Sequence, residues 1–327
     1  MFTHTLKHPY AIASVGFFKA YWVTMRPYLL FVSGITGLTG LAFSPTVDMV
    51  TTSLVFAASF LSYGFGQALT DCFQTDTDSI SSPYRPLTQG VISKGRVLLV
   101  SMLGLVICSF VFAYFNLLAL LLGVLAVAGL ATYTPFKRRW WGGPWYNAWI
   151  VVVLCLMAYL AGTGAQRSTS NTVAFACMLV TVFFGYANFV LVGYFKDISA
   201  DRATGYNTVP VVFGRRFSVW VSYGLTILTL ASAIASVVAS RDTVNIQPYP
   251  LWILAAGIVT SMIGQVCLHN VGTDEEAHRP IGWVVHSYIL LLSAIVAVRR
   301  PSWTLFLVMF YVAFVLVLSL RPVRSQI

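Results

Sequence analysis

Two carboxylates stand four residues apart at the end of a long apolar run. Asp197 and Asp201 follow the run 173–192, and Gly205 comes four residues after them. On a helix, residues four apart share a face, so these carboxylates would lie one turn apart and repel each other. A divalent cation between them would relieve the repulsion. Hard oxygen ligands suit Mg²⁺, which commonly binds together with phosphate. The alternative is a solvated helix end, with Asp201 paired to a nearby Arg or Lys.

A second acidic segment closes another apolar run, 54–69, and contains Asp71, Asp76 and Asp78. Asp71 and Asp78 would share a face if the helix continues, whereas Asp76 would point elsewhere. The chain has ten acidic residues, and half of them lie in these two segments. Two acidic clusters at equivalent helix ends predict one composite site between two related halves of the chain.

The later segment resembles the second aspartate motif of the UbiA superfamily of membrane prenyltransferases. In that motif Asp-xxx-Asp is followed by glycine four residues later, as in Asp197, Asp201 and Gly205. The wider run 201–214 and the run 83–86, Pro-Tyr-Arg-Pro, are closest to the chlorophyll synthase branch of the superfamily. The resemblance therefore implies a membrane enzyme that binds a prenyl diphosphate through Mg²⁺.

The earlier segment departs from the family pattern Asn-xxx-Asp-xxx-Asp. Gln67 stands where Asn is expected, and Thr75 falls at the third position when the motif is counted from Asp71. Counted back from the run 83–86, Asp78 takes the final acidic position and Gln74 the middle one. The predicted catalytic residues are Asp71, Asp78, Asp197 and Asp201. The predicted metal ligands are the same four, with Asp76 as a reserve.

Basic and polar side chains near the two segments are expected to bind the diphosphate. The guanidinium of Arg85 suits phosphate oxygens, although it could instead pair with Asp76 or Asp78. The run 133–137 resembles the superfamily's Tyr-x-Pro-x-Lys segment, which implies diphosphate contact for Lys137. The alternative is that the basic cluster 137–139 does not bind substrate and only sets the orientation of the helices in the membrane. The predicted substrate-binding residues are Gln67, Arg85, Tyr133, Lys137, Arg139, Asn188, Tyr194, Lys196 and Arg202.

Three further members of that set have an alternative to substrate binding. Lys196 and Arg202 flank the carboxylates of the later segment, and either binds diphosphate or only neutralises its neighbour. Asn188 lies two helical turns before the end of its apolar run. It faces the substrate cavity or packs in the protein interior.

The composition is that of a multi-pass membrane protein, with 58% apolar and 9% charged residues. We predict an all-α bundle of nine or ten transmembrane helices around a central apolar cavity, in a single domain over 1–327. Ten runs are candidates, and the UbiA pattern usually has nine. The runs are 27–42, 51–70, 97–115, 117–131, 148–162, 173–195, 219–239, 250–268, 281–298 and 303–320.

Basic residues predict the orientation of these helices. With the N-terminus inside, all Lys and Arg fall on the inner side except Arg167, Arg241, Arg299 and Arg300. Both acidic segments then face the cytoplasm. The net charge of +10 is attributed to topology and an anionic substrate, and no nucleic-acid partner is expected.

The resemblance implies Mg²⁺-dependent ionisation of an isoprenyl diphosphate and transfer of the prenyl group to a lipophilic, aromatic acceptor within membrane lipid. Carboxylate-bound Mg²⁺ would neutralise the leaving diphosphate, and a dry aromatic cavity would protect the allylic cation. A UbiA-type terpene cyclase needs the same site, with the substrate's own double bond capturing the cation. A transporter or lipid-binding protein is the third alternative, but transporters typically carry polar groups near the membrane midplane. Prenyl chain length and acceptor stay open.

Overall fold

The computed structural model describes residues 9–45, 47–164, 171–242 and 247–321, and helix is the only regular secondary structure among them. Arg167, which the charge pattern assigns to the outer side, lies outside these residues. The α-helices are α1 Val15–Met25, α2 Leu30–Ala42, α3 Met49–Asp71, α4 Thr75–Ser81, α5 Lys94–Phe115, α6 Leu118–Arg139, α7 Gly143–Thr163, α8 Thr172–Gly193, α9 Ile198–Ala203, α10 Val209–Ala239, α11 Pro248–His269, α12 His278–Arg299 and α13 Thr304–Ser319.

Nine helical segments in the described part of the chain are long and apolar enough to cross a membrane. They contain α3, α5, α6, α7, α8, α10, α11, α12 and α13. The first predicted run corresponds to the segment Pro27–Ala42, which is apolar but shorter than the about 20 residues that span a hydrocarbon core. The all-α, multi-pass prediction is thus confirmed, with nine full-length spans and one shorter helix.

The shorter helix lies at the centre of the bundle. Every residue of α2 is buried, as is 83% of the most apolar window of Glu275–Arg299. Close packing of α2 depends on glycine. A Cβ at Gly37 would lie 2.1 Å from Ser59 Oγ on α3, and one at Gly40 would lie 2.2 Å from the Cys155 carbonyl on α7. Small residues of this kind let helix backbones approach each other closely inside a membrane.

The two acidic segments have the same local structure. The long helix α3 ends at Asp71 and is followed by the short helix α4. The long helix α8 ends at Gly193, and after the 3-10 turn Tyr194–Lys196 the short helix α9 begins just after Asp197. Where α4 meets α9, the hydroxyls of Thr77 and Thr204 lie 2.9 Å apart and form a hydrogen bond. This contact joins the two segments at one end of the bundle, which we call the acidic end.

Candidate active site

A polar cavity of about 110 Å³ lies at the acidic end, where α3 and α8 terminate. Three carboxylates and four cationic side chains line it. They are Asp71, Asp78, Asp197, Arg26, Arg85, Lys137 and Lys196. Both acidic segments contribute to this lining, as expected for a composite site.

Asp71 is held by two side chains. Gln67 Nε2, one turn earlier on α3, donates to Asp71 Oδ1 at 2.7 Å, and Arg26 Nη2 lies 3.0 Å from both carboxylate oxygens. Arg26 adopts a left-handed backbone conformation (φ 52°) at the end of α1, an uncommon geometry for a residue other than glycine. This turn changes the chain direction between α1 and Pro27, and the arginine side chain reaches the cavity.

Asp78 forms a buried ion pair with Arg85. Arg85 Nη1 lies 2.5 Å from Asp78 Oδ2 and 3.8 Å from Asp71 Oδ1, so one guanidinium bridges both carboxylates of the earlier segment. Burial raises the pKa of Asp78 above its ordinary value, while the positive charge of Arg85 opposes that shift. Arg85 Nε is buried and has no hydrogen-bond partner among the described residues. This leaves a donor available to a ligand.

Asp197 and Asp201 differ in their surroundings. Asp197 lines the cavity and forms no ion pair within 4.0 Å in the described part of the chain. Burial acts to raise the pKa of Asp197, but Lys196, Lys137 and Arg85 outweigh it and lower that pKa. Asp201 is fully buried, and burial raises its pKa to about 6. Asp197 is therefore the carboxylate of this pair that is open to a ligand.

Asp201 does not line the cavity, but it contacts Lys137, which does. Its Oδ1 lies 3.3 Å from Lys137 Nζ, and its Oδ2 accepts from Thr208 Oγ1 at 3.2 Å. Lys137 Nζ also lies 4.8 Å from the centre of the Tyr194 ring and 4.9 Å from that of Tyr206. Cation–π contacts of this kind fix an ammonium group in place. Asp201 thus positions Lys137 at the cavity wall.

Most of the predicted substrate-binding residues meet at this cavity. The members that line it are Gln67, Arg85, Tyr133, Lys137, Tyr194 and Lys196. The hydroxyls of Tyr133 and Tyr194 lie 2.7 Å apart. Lys196 Nζ is buried, and no described residue provides it with a hydrogen-bond partner. It is a second donor available to an anion.

Five predicted residues lie outside the lining, and the first is Asp201, a predicted metal ligand that pairs with Lys137 instead. Asp76 pairs with Arg138 at the surface, so Asp78 is the one of the two candidates that lines the cavity. Asn188 Nδ2 donates to Thr226 Oγ1 at 3.0 Å within a buried hydrogen-bond network, which corrects its predicted contact with substrate. Arg139 and Arg202 are exposed and outside the lining. Their predicted substrate contacts are not supported by their positions.

Several lining residues were not among the predicted site residues, and three of them are polar or charged side chains that bear on the head-group site. Arg26 comes from the segment before the first apolar run, and Asn147 from the start of α7. Gln74, the middle position of the altered motif, accepts from Lys137 Nζ at 3.4 Å and donates to Thr134 Oγ1 at 3.2 Å. An amide therefore stands where the family motif has a carboxylate, and it contacts a cation.

An apolar cavity of about 100 Å³ adjoins the polar one. The two share the residues Tyr63, Gln67, Thr70, Asn147 and Tyr186. The apolar cavity, here called the tail cavity, continues between α3, α5, α6 and α7. Its deeper lining includes Leu105, Cys108, Phe112, Gly123, Val127, Leu130, Leu154 and Met157. The arrangement accommodates a molecule with an anionic head and a hydrocarbon tail.

Comparison with known proteins identifies the family. The model described as the UbiA prenyltransferase family matches residues 30–280. The chain belongs to this family. It is therefore a membrane prenyltransferase, which confirms the predicted enzyme class.

Two relatives and one solved structure are similar to this UbiA member. Digeranylgeranylglyceryl phosphate synthase of Thermococcus kodakarensis is 30% identical over 66% of this chain and 76% of its own. Chloroplastic chlorophyll synthase of Arabidopsis thaliana is 26% identical over 62% of this chain and 52% of its own. A UbiA homologue from Archaeoglobus fulgidus bound to GPP and Mg²⁺ has a TM-score of 0.60 at 18% identity, covering 85% of this chain and 100% of its own. That structure supports the fold.

The carboxylates of this UbiA member are not gathered around a common point. Among the described residues, no three His, Cys, Asp or Glu side chains are grouped so that they could hold a metal ion. Arginine contacts explain part of this arrangement, because Arg26 engages Asp71 and Arg85 engages Asp78.

Proposed function

We propose that this chain transfers the prenyl group of an isoprenyl diphosphate to a lipophilic acceptor, with Mg²⁺ bound at the polar cavity. The observation that carries the proposal is the direct junction of two unlike cavities. One is lined by carboxylates and cations, the other by apolar side chains, and five residues belong to both. A prenyl diphosphate has the same two parts in the same order.

The donor types of the polar cavity fit Mg²⁺, although its carboxylates would have to draw together to hold the ion. Asp71, Asp78 and Asp197 provide hard oxygen donors around one cavity of about 110 Å³, and oxygen is the ligand type that Mg²⁺ prefers. These three side chains would hold the ion, and Asp71 and Asp78 would exchange arginine for metal contacts. When bound, Mg²⁺ would neutralise the charge that develops on the leaving diphosphate. The similar structure bound to GPP and Mg²⁺ supports this assignment.

Cationic side chains orient the diphosphate beside those carboxylates. Arg85 Nε and Lys196 Nζ have no described partners, so both are free to donate to phosphate oxygens. Lys137, fixed by Asp201 and Tyr194, provides a third cation at the wall. Together they hold the head in a fixed position, so that the carbon–oxygen bond to be broken lies at the junction of the cavities.

The junction itself is aromatic. Tyr63 and Tyr186 line both cavities and are largely shielded from solvent. Ring faces stabilise an allylic cation, and exclusion of water protects it from hydrolysis. The carbon–oxygen bond breaks with its electrons leaving on diphosphate. An electron pair of the acceptor then forms the new bond to the same carbon, and the proton that this bond replaces leaves the acceptor for the released diphosphate.

The acidic end faces the cytoplasm in this proposal. Four basic side chains line the polar cavity itself, and Arg138, Arg139 and Arg202 are exposed near it. An excess of Lys and Arg is typical of cytoplasmic ends of membrane proteins. Water-soluble diphosphate and Mg²⁺ would enter from that side.

A terpene cyclase is the second candidate, favoured by one observation. Gln74 replaces a motif carboxylate and contacts Lys137, so the head-group site differs from the pattern of the transferases. In a cyclase a double bond of the tail captures the cation, and no acceptor is needed.

One assay separates the two candidates. Purified protein in nanodiscs is given Mg²⁺ and geranyl, farnesyl or geranylgeranyl diphosphate, with and without a lipid extract containing aromatic acceptors. Diphosphate release and organic products are followed by mass spectrometry. We expect release that depends on the acceptor. A cyclic hydrocarbon formed without acceptor would establish the cyclase, and no consumption under either condition would contradict both candidates.

A further inference from the structure

The tail cavity has a defined length. On α7, Asn147 lines both cavities, and Met157, ten residues further, lines only the tail cavity. At 1.5 Å of rise per residue, these ten residues give a depth of about 15 Å along α7. On α6, the lining of the tail cavity ends at Gly123.

The far end of the tail cavity is closed by packed side chains. Phe112 and Met157 are almost fully buried, at 1% and 3% exposure, and belong to a continuous hydrophobic cluster with Val55 and Ala119. This cluster fills the bundle beyond the cavity. Phe112, Gly123 and Met157, which we call the floor, thus mark the end of the available space.

Gly123 is the position where the floor is most sensitive to side-chain size. A Cβ there would lie 2.8 Å from Ser109 Oγ and 3.3 Å from Met157 Cε. Ser109 Cβ follows at 3.1 Å, and both Ser109 and Met157 line the cavity. A larger side chain at Gly123 would therefore crowd this end of the cavity and shorten it.

We propose that Gly123 and Met157 set the longest prenyl chain that the enzyme accepts, an inference that rests on the proposed function. An isoprene unit adds four carbon–carbon bonds to the main chain, about 5 Å when extended. A depth of about 15 Å accommodates roughly three units in extended form. Farnesyl diphosphate fills this space, and a fourth unit must fold back or displace the floor.

The test compares four proteins in nanodiscs: wild type, Gly123→Val, Met157→Ala and Gly224→Val. Gly224 is exposed on α10, and a Cβ there meets nothing within 4 Å, so its valine variant is the matched control. The kcat/KM for diphosphate release is measured with geranyl, farnesyl and geranylgeranyl diphosphate, in the acceptor condition that supports turnover by wild type.

The two floor variants are expected to shift the preference for prenyl chain length in opposite directions. Gly123→Val should lower the farnesyl-to-geranyl ratio of kcat/KM by about tenfold or more, the scale of a steric mismatch in an apolar pocket. Met157→Ala should raise the geranylgeranyl-to-farnesyl ratio, and Gly224→Val should keep the wild-type ratios. Met157→Ala removes atoms, so it keeps the test decisive if Gly123→Val fails to fold.

Two outcomes would overturn the inference. The first is a wild type that turns over prenyl diphosphates while both floor variants keep the ratios of Gly224→Val. The second is a wild type that prefers geranylgeranyl diphosphate by tenfold or more. A wild-type protein that releases diphosphate from none of the three donors is a different result, because it contradicts the proposed function itself.

Discussion

The two halves of the bundle use their interiors differently. Helices α3, α5, α6 and α7 enclose the tail cavity of about 100 Å³. Helices α8, α10, α11 and α12 enclose a space of only about 10 Å³, because hydrogen-bonded side chains occupy the interior. Gln265 Nε2 donates to Thr226 Oγ1 at 2.7 Å, and Ser222 Oγ donates to Asn188 Oδ1 at 2.7 Å. We infer that the first half holds substrate and the second half is a rigid support.

The same contrast holds between the acidic segments. In the first, arginines engage Asp71 and Asp78. In the second, Asp197 forms no ion pair among the described residues. Asp201 pairs with Lys137, and Asp274 accepts a hydrogen bond from the backbone N–H of Ser199 on α9. Each segment therefore has its own division between residues that would bind the ligand and residues that position them. Substitutions can separate these two roles.

The largest effect is expected at Asp197. Asp197→Asn keeps the size of the side chain but removes the carboxylate that is open to the cavity, and diphosphate release should fall by about a hundredfold or more. Steady-state release measured with saturating Mg²⁺ checks this. Asp76→Asn is the matched control, because Asp76 is a surface carboxylate near the same site, and it should stay within about threefold of wild type. Equal losses in both variants would contradict the assignment of the cavity.

A smaller effect is expected at Asp274, in the connection between α11 and α12. Asp274 Oδ2 accepts from the backbone N–H of Ser199 at 2.8 Å, and Oδ1 pairs with Arg215. Asp274→Asn should loosen α9 and with it Asp197, which raises the Mg²⁺ concentration for half-maximal activity by about tenfold, the order of one charge-assisted hydrogen bond. A Mg²⁺ titration of activity measures this.

Glu276→Gln provides the control for that titration. Among the residues that the structure describes, Glu276 accepts hydrogen bonds only from the backbone N–H groups of Gly272 and Thr273 in its own loop. Its Mg²⁺ requirement should equal that of wild type. If Asp274→Asn lowered activity at every Mg²⁺ concentration by the same factor, Asp274 would have no part in positioning Asp197.

The smallest catalytic effect is expected in the polar network of the second half. Asn188→Ala leaves Ser222 and Thr226 without their bonds to the amide, which should destabilise the fold by about 1–2 kcal/mol. The kcat/KM of the folded protein should remain within about threefold of wild type. Thermal unfolding in nanodiscs and the donor assay measure the two quantities. A large loss of kcat/KM at unchanged stability would mean that Asn188 binds substrate after all.

The apolar runs predicted the helices well, because a hydrocarbon solvent demands long uninterrupted segments. Their ends were harder to predict. The fourth run was expected to end at residue 131 or a little beyond, but α6 continues to Arg139 with Pro135 inside it. Proline disfavours helix in the residue before it, so the sequence favoured an earlier end. The extension matters, since it brings Lys137 to the cavity wall.

Motif spacing predicted Asp71, Asp78 and Asp197, which line the polar cavity, because helical geometry makes such spacing informative. It could not find Arg26, whose contribution depends on a left-handed turn and on tertiary packing. It also could not tell whether Asn188 faces a cavity or a polar network, because both require the same buried amide. The location of the larger cavity in the first half of the bundle depends on the packing of many side chains. No single motif could have predicted it.

The most direct test of this account is a structure of the protein in nanodiscs with an unreactive farnesyl thiolodiphosphate and Mn²⁺ in place of Mg²⁺. We expect anomalous scattering or metal density between Asp71, Asp78 and Asp197, with the diphosphate against Lys137 and Lys196. The farnesyl tail should run between α3, α5, α6 and α7 and end at Met157. Metal bound away from Asp197, or a tail lodged among α8, α10, α11 and α12, would contradict it.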